Sequence, residues 1–474
     1  MTHHRSTADE TREDAGETRG NTTGAREDRE ETREEPWEDA AQTRGDGGEA
    51  QEKGTRVPDP RILSRPVVLL LVASLGALGG FYLLAPVVPL YAATSGAGGV
   101  GAGLATGTMM LGTVLTEFAA PGLLRAYGYR TVMALGLFLL GAPALLLPAS
   151  ASMPPVLGIC LARGAGLGLV VVAGAALMAE LVPADRRGEG LGLYGVAVGI
   201  PSIACLPLGL WLSEHIGHGP VFVAGAASAL LGLAAVPGLP SLRARAEKHG
   251  GSQGETRNGT RGGSRSETHD GIGSGPRSGS RSGTRGGILG VLRDGGVARP
   301  AIVFAMVTPA AGVLLTFLPL AAPEGSYDLV ALALLTQSCV TPLARWAAGR
   351  YGDRHGSARL LVPAVLAAAL GTAGLFWVDV PLAMIVGMGL FGAGFGMAQN
   401  ATLALMFERA PESAFGQVSA AWNLAYDAGL GAGAVGFGLL AGAVGYPVGF
   451  AVTAAVLFTA LAPALYDRAG LRTR

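Results

Sequence analysis

The chain has 474 residues, of which 49% are hydrophobic and 15% charged, and 35 basic residues balance 35 acidic ones. Soluble proteins carry about a quarter charged residues, and the charges here crowd into the first 65 residues, a middle linker and short loops, which speaks against a soluble globular fold. The zero net charge gives no reason to expect nucleic acid or an acidic partner. Glycine is abundant, at 75 residues, without a collagen-like period; small residues inside apolar runs let membrane helices approach closely. Cys160, Cys205 and Cys339 stand alone in apolar runs, so neither a metal site nor a disulfide framework is expected.

Residues 1–65 repeat Thr-Arg-Glu/Asp phrases with almost no apolar side chains. Such a segment buries too little surface to offset its chain entropy and is expected to be a disordered cytoplasmic tail. From Pro66 the pattern changes. A spanning helix needs roughly 20 mainly apolar residues, and such runs fall at about 66–91, 98–124, 131–149, 154–180, 190–212 and 219–240. A Gly-Ser-Arg-Thr linker over 241–297 follows, expected to be flexible and solvated. Its last part, Ile288 to Leu292, is expected to lie on the membrane surface. Six further runs come at about 300–322, 327–349, 358–377, 380–408, 415–443 and 446–465, before a short tail at 467–474. The expected fold is therefore all-α and membrane-embedded: twelve spans in two six-helix bundles, 66–240 and 298–466.

The loops give an orientation. Arg125 and Arg130, Arg186 and Arg187, the linker, Arg350, Arg354 and Arg359, and Arg409 occupy connections 2–3, 4–5, 6–7, 8–9 and 10–11, whereas the alternate connections hold no Lys or Arg. The positive-inside rule then puts the linker and both termini in the cytoplasm, as expected of a multi-pass protein of the cytoplasmic (inner) membrane.

The halves also repeat. Gly164, Gly166 and Gly168 match Gly392, Gly394 and Gly396; Glu180, Pro183 and Gly188 match Glu408, Pro411 and Gly416; Gly128 matches Gly356. Every pair lies 228 positions apart, as Glu180 and Glu408 do. Parallel repeats of this kind underlie alternating access, with a site near the midplane between the bundles.

Several motifs carry a family resemblance. Connection 8–9 reads Gly349-Arg-Tyr-Gly-Asp353-Arg354-His-Gly356, and connection 2–3 holds a degraded copy with Arg125, Gly128 and Arg130, in which Arg125 takes the position of the Asp. The fourth span has Arg163-Gly-Ala-Gly166-Leu-Gly168, and the fifth Gly195-x-x-x-Gly199-Ile-Pro201. Over about 66–466 the chain resembles the major facilitator superfamily, and within it bacterial drug or sugar efflux permeases of the drug:proton antiporter type. The resemblance implies a secondary transporter, not an enzyme, that moves a small solute by alternating access with the proton gradient as its energy source and no cofactor. The two loop motifs would be its cytoplasmic gate. The partners expected are the lipid bilayer and a small-molecule substrate, with no nucleic acid, and the chain is expected to act as a monomer.

Charged groups inside a bilayer are costly and tend to face a partner or a wet cavity. Glu117 lies eight residues before Arg125, about 12 Å inside one end of its span at 1.5 Å per residue. Asp427 lies near the middle of the eleventh span, with Asn423 one turn earlier, and Arg163 lies well inside the fourth. Removal from water favours the neutral form of a carboxylate, so Glu117 and Asp427 are candidate proton carriers, and Arg163 would bias a neighbouring carboxylate or bind an anion. The alternative for Glu117, and for Arg345 at the matching place in the second half, is a structural or gate salt bridge near the cytoplasm. Tyr82, Gln337, Asn400, Trp422, Asn423 and Tyr426 are candidates to face the solute, with helix packing as their alternative. Rival functions are import or facilitated passage of a sugar or organic acid, and a membrane-embedded transferase. The transferase would need acidic or His groups clustered in a surface loop, and no such cluster is legible. His215 and His218 fall in an outer loop where no metal site is expected, and no Walker-type phosphate loop occurs.

Overall fold

The structure is a computed structural model and describes residues 63–149, 152–183, 186–243 and 288–469. All of these belong to one compact unit, Pro58–Arg474; the other unit, Met1–Val57, lies outside the described residues, as do most of the expected linker and residues 470–474.

Helices α1 (Arg65–Leu84) and α2 (Val87–Ala92) form one span interrupted near Pro86, which has no N–H to continue the ladder. Then come α3 (Gly98–Gly141), α4 (Met153–Leu181), α5 (Arg187–Ile216) and α6 (His218–Leu233). The second half holds α7 (Ile288–Val291), α8 (Gly295–Ala321), α9 (Tyr327–His355), α10 (Leu361–Gly374), α11 (Pro381–Arg409), α12 (Phe415–Val444), α13 (Tyr446–Thr459) and α14 (Leu461–Ala469). The expected surface segment is the single turn α7.

Among the described residues eleven helical stretches are long and apolar enough to cross a membrane, and the longest, Gly98–Ala149, has 52 residues. At 1.5 Å per residue that stretch measures about 78 Å, more than twice the hydrocarbon thickness. It is two spans, as the sequence suggests. Gly128, with φ 82° and ψ 165°, breaks the helix in one residue, a conformation that a Cβ disfavours, and the Tyr129 N–H donates to the Leu242 carbonyl (3.0 Å) instead of continuing the ladder. The count is therefore twelve. The same backbone device recurs at Gly356 (φ 88°), 228 positions on. Gly217 (φ 84°) and Gly445 (φ 80°) form a further pair in this register, joining α5 to α6 and α12 to α13.

Each half has its own apolar core. One runs from Val67 to Leu239 and admits Leu430 from the second half; the other is built mainly on α8 to α13 and admits Leu90, Ala102, Leu206 and Leu210 from the first. The repeated glycines are packing seams. A Cβ on Gly164 or Gly168 would strike backbone carbonyls of α3, and one on Gly166 the carbonyl of Gly136. Gly392 and Gly396 lie against α9 in the same way, and Gly394 against α10.

We call the end carrying the arginine-rich connections the linker end and its opposite the far end. Bundle meets bundle where α3 packs on α12 and α8, and where α5 packs on α9. Toward the far end Gly103 abuts the Ala434 carbonyl, Gly107 abuts Val435, and the Thr106 and Thr316 hydroxyls lie 2.9 Å apart. At the linker end the described polar ties stay within one bundle. Arg409 donates twice to Asp467 (2.7 Å each) and once to the Gly296 carbonyl (2.9 Å), clasping α11, α14 and α8. Ser357 donates to Glu408 (3.1 Å). Asp467 is only 4% exposed, so Asp467→Ala should lower stability by about 2–3 kcal/mol, because it strands a partly buried guanidinium. Thermal unfolding in detergent checks this; an unchanged midpoint would show the clasp to be dispensable.

Candidate functional site

Two helices from different bundles, α3 and α12, run side by side and each brings one acid to their seam. Glu117 lies 11 residues before the Gly128 break and Asp427 12 residues after Phe415. Both are thus roughly 16–18 Å inside the linker end. The two carboxyl groups lie within hydrogen-bonding reach of each other. A hydrogen bond between them needs a proton on one carboxyl, since two ionised carboxylates at that distance repel strongly. Neither Glu117 nor Arg345 joins an ion pair among the described residues. The salt-bridge alternative thus has no partner here, and the acid that meets Glu117 comes from the other half.

Two tyrosines and an arginine complete the cluster. Tyr82 of α1 and Tyr426 of α12 lie near each other and near Asp427, and Arg345 of α9 lies near Tyr426. The site therefore draws α1 and α3 from one bundle and α9 and α12 from the other. An aromatic wall continues from it. Phe304 stacks on Trp422 (centroids 4.5 Å, 10° between planes), and Tyr426 lies 5.9 Å from Trp422 and 6.1 Å from Phe395. Trp422 Nε1 donates to Thr402 Oγ1 (3.2 Å), which fixes the indole between α11 and α12. Asn423 is half-buried one turn before Asp427.

The remaining candidates are placed as follows. Gln337 is half-buried on α9, where its carbonyl accepts from Thr341 (2.8 Å). Asn400 packs beside Gly349, joining α11 to α9. Arg163 faces a different cavity, within the first bundle and closed on one side by Leu315. Asp353, Arg354, Arg125 and Arg130 are exposed at the linker end and form no ion pair among the described residues, while Gly128 and Gly356 supply the left-handed turns.

Sequence reading named Glu117, Asp427, Tyr82 and Tyr426 individually but not their meeting, since 310 positions separate the two acids. It also missed Phe304, Phe395 and Thr402, which carry no charge or motif; their one signal is an aromatic or hydroxyl at mid-span, and that is common.

Among solved structures, the chain is similar to the nucleoside transporter NupG, with 10% identity, 85% of this chain and 99% of that one covered, and a TM-score of 0.63. It is similar to the xylose transporter XylE from E. coli in its inward-open conformation (15%, 85% and 96%, 0.62). It also resembles an autoinhibited POT-family peptide transporter (12%, 87% and 97%, 0.64). At these identities the likeness concerns the fold. No curated protein matches the sequence. The sequence profile of the Major Facilitator Superfamily matches residues 70–434 and 301–472. Twelve spans in two repeated bundles, a site between them and this match agree: the chain belongs to the Major Facilitator Superfamily of membrane transporters.

Proposed function

We propose that the protein is a proton-coupled secondary transporter that exports a small, partly apolar compound from the cytoplasm. The observation that carries this reading is the meeting of the Glu117 and Asp427 carboxyl groups across the seam between the bundles. A proton held in common joins α3 to α12; its loss leaves two like charges at contact distance, which drives the helices apart. Protonation is thereby linked to the motion that alternating access requires. The Phe304, Trp422 and Tyr426 rings form an apolar wall with a few polar edges, suited to a drug-like or natural-product solute.

The arginine-rich connections support cytoplasmic placement of the linker end and both termini, in a bacterial inner membrane. With that orientation the close contacts between the bundles at Gly103, Gly107 and Thr106 lie toward the outside. A second reading, import of a sugar or similar polar solute, draws support from the xylose and nucleoside transporters sharing the fold and from the Tyr82 and Tyr426 hydroxyls near the acids.

The test is a substrate screen in proteoliposomes with an imposed pH gradient, run beside drug sensitivity in a deletion strain. Export predicts solute movement against the proton flux and a sensitised strain. Uptake of sugars along with protons would select the second reading. Transport indifferent to the gradient would remove proton coupling from both.

A further inference from the structure

Arg163 is among the largest side chains buried throughout, at 1% exposure. Its Nε donates to the Leu140 carbonyl (3.3 Å), but Nη2 has no hydrogen-bond partner. No carboxylate pairs with it among the described residues; the titratable group beside it is the Cys160 thiol, one turn earlier on α4. A buried guanidinium without a counter-charge is strongly unfavourable.

The fold itself does not ask for this charge. In the second bundle the position 228 residues on is Phe391, 0% exposed, so the same place in the twin is filled by an apolar ring. The surroundings in the first bundle differ too. Arg163 lines a cavity of about 20 Å³ together with Phe81, Thr106, Met109, Cys160 and Leu315. A space of that size holds one small occupant, and in this mainly apolar lining Arg163 is the charged group it would meet. A water there would satisfy the N–H and leave the charge uncompensated; a small anion does both. Leu315 belongs to the other bundle, and Thr106 is tied to Thr316 beside it, so the cavity is complete only while α3 and α8 are together.

We infer that this cavity is a binding site for one small monovalent anion, a halide or the carboxylate of a short organic acid, held by Arg163 Nη2 while the far end is closed. The site does not depend on the proton-coupled reading, since it shares no residue with the Glu117–Asp427 pair.

The full chain, purified into lipid nanodiscs, tests it by thermal unfolding at constant ionic strength in a gluconate background, an anion too large for the cavity. Chloride, bromide, formate and acetate are each titrated in. The expected result is a saturable rise in Tm of about 2–4 °C at tenfold excess over Kd for at least one of them, lost in Arg163→Gln. A response to halides alone identifies an inorganic anion; a response to formate or acetate alone identifies a carboxylate. If Arg163→Gln does not fold, Leu315→Phe, which fills the cavity from the other bundle with Arg163 intact, should lose the response instead. The site is overturned by a flat titration for all four anions, or by an undiminished response in either variant. No pH gradient is applied, so failure here is separate from failure of proton coupling.

Discussion

Replacing Asp427 with Asn, or Glu117 with Gln, should cut pH-driven solute movement by about tenfold to a hundredfold while leaving gradient-free exchange of solute largely intact. Each substitution keeps the shape and a hydrogen-bonding group at the α3–α12 seam but makes one member permanently neutral, so on the proposed mechanism proton loss would no longer produce the repulsion that separates the bundles. The two acids act as a unit, and effects within such a unit are not additive; the double variant should be about as impaired as either single one. Proteoliposomes report both rates: accumulation under an imposed gradient, and counterflow of labelled against unlabelled solute at equal pH. Full accumulation in both single variants would sink the assignment. Equal loss of accumulation and exchange would instead make the acids part of solute binding.

The second large effect concerns the seam nearer the far end. A Cβ at Gly103 would be driven into the Ala434 carbonyl and toward the Phe317 ring, so its three nearest neighbours beyond its own helical turn all belong to the opposite bundle. Gly103→Val should therefore leave each bundle folded and penalise only the state in which α3 and α12 are pressed together. Overpacking costs about 1–3 kcal/mol, which shifts the balance of the two access states by about 5- to 150-fold toward the far-end-open one. Cysteine labelling at far-end positions checks it: accessibility should rise with expression and Tm nearly unchanged, and transport should slow. A variant whose far end stays protected at wild-type level would mean that the seam closes by another route. Gly164→Val gives the contrast, because its Cβ would meet the Met109 backbone within the same bundle; it should impair folding itself.

Much of this architecture was legible because membrane helices are specified by composition over about 20 residues and by Arg placement, both local properties. The run at 154–180 became Met153–Leu181 and that at 380–408 became Pro381–Arg409. The repeat was legible in Glu180 and Glu408, and in three dimensions these keep matched neighbours: Glu408 accepts from Ser357, and Glu180 lies near Tyr129, 228 positions before Ser357. Glycine runs read as packing seams proved to be that, since only a missing Cβ allows the backbone approaches at Gly166 and Gly394.

By itself, then, the sequence determined the lipid-embedded class, the twelve spans, the duplication and the presence of ionisable groups within the spans, because hydrophobicity, charge and period are carried by neighbouring residues. Tertiary structure alone decided which of those groups meet. Glu117 finds Asp427 rather than Arg345, and Arg163 is left facing a cavity where its counterpart Phe391 packs in a core. Such pairings depend on how two separately coded bundles dock, and a helical pattern fixes the face of a helix without naming the side chain that will stand opposite it.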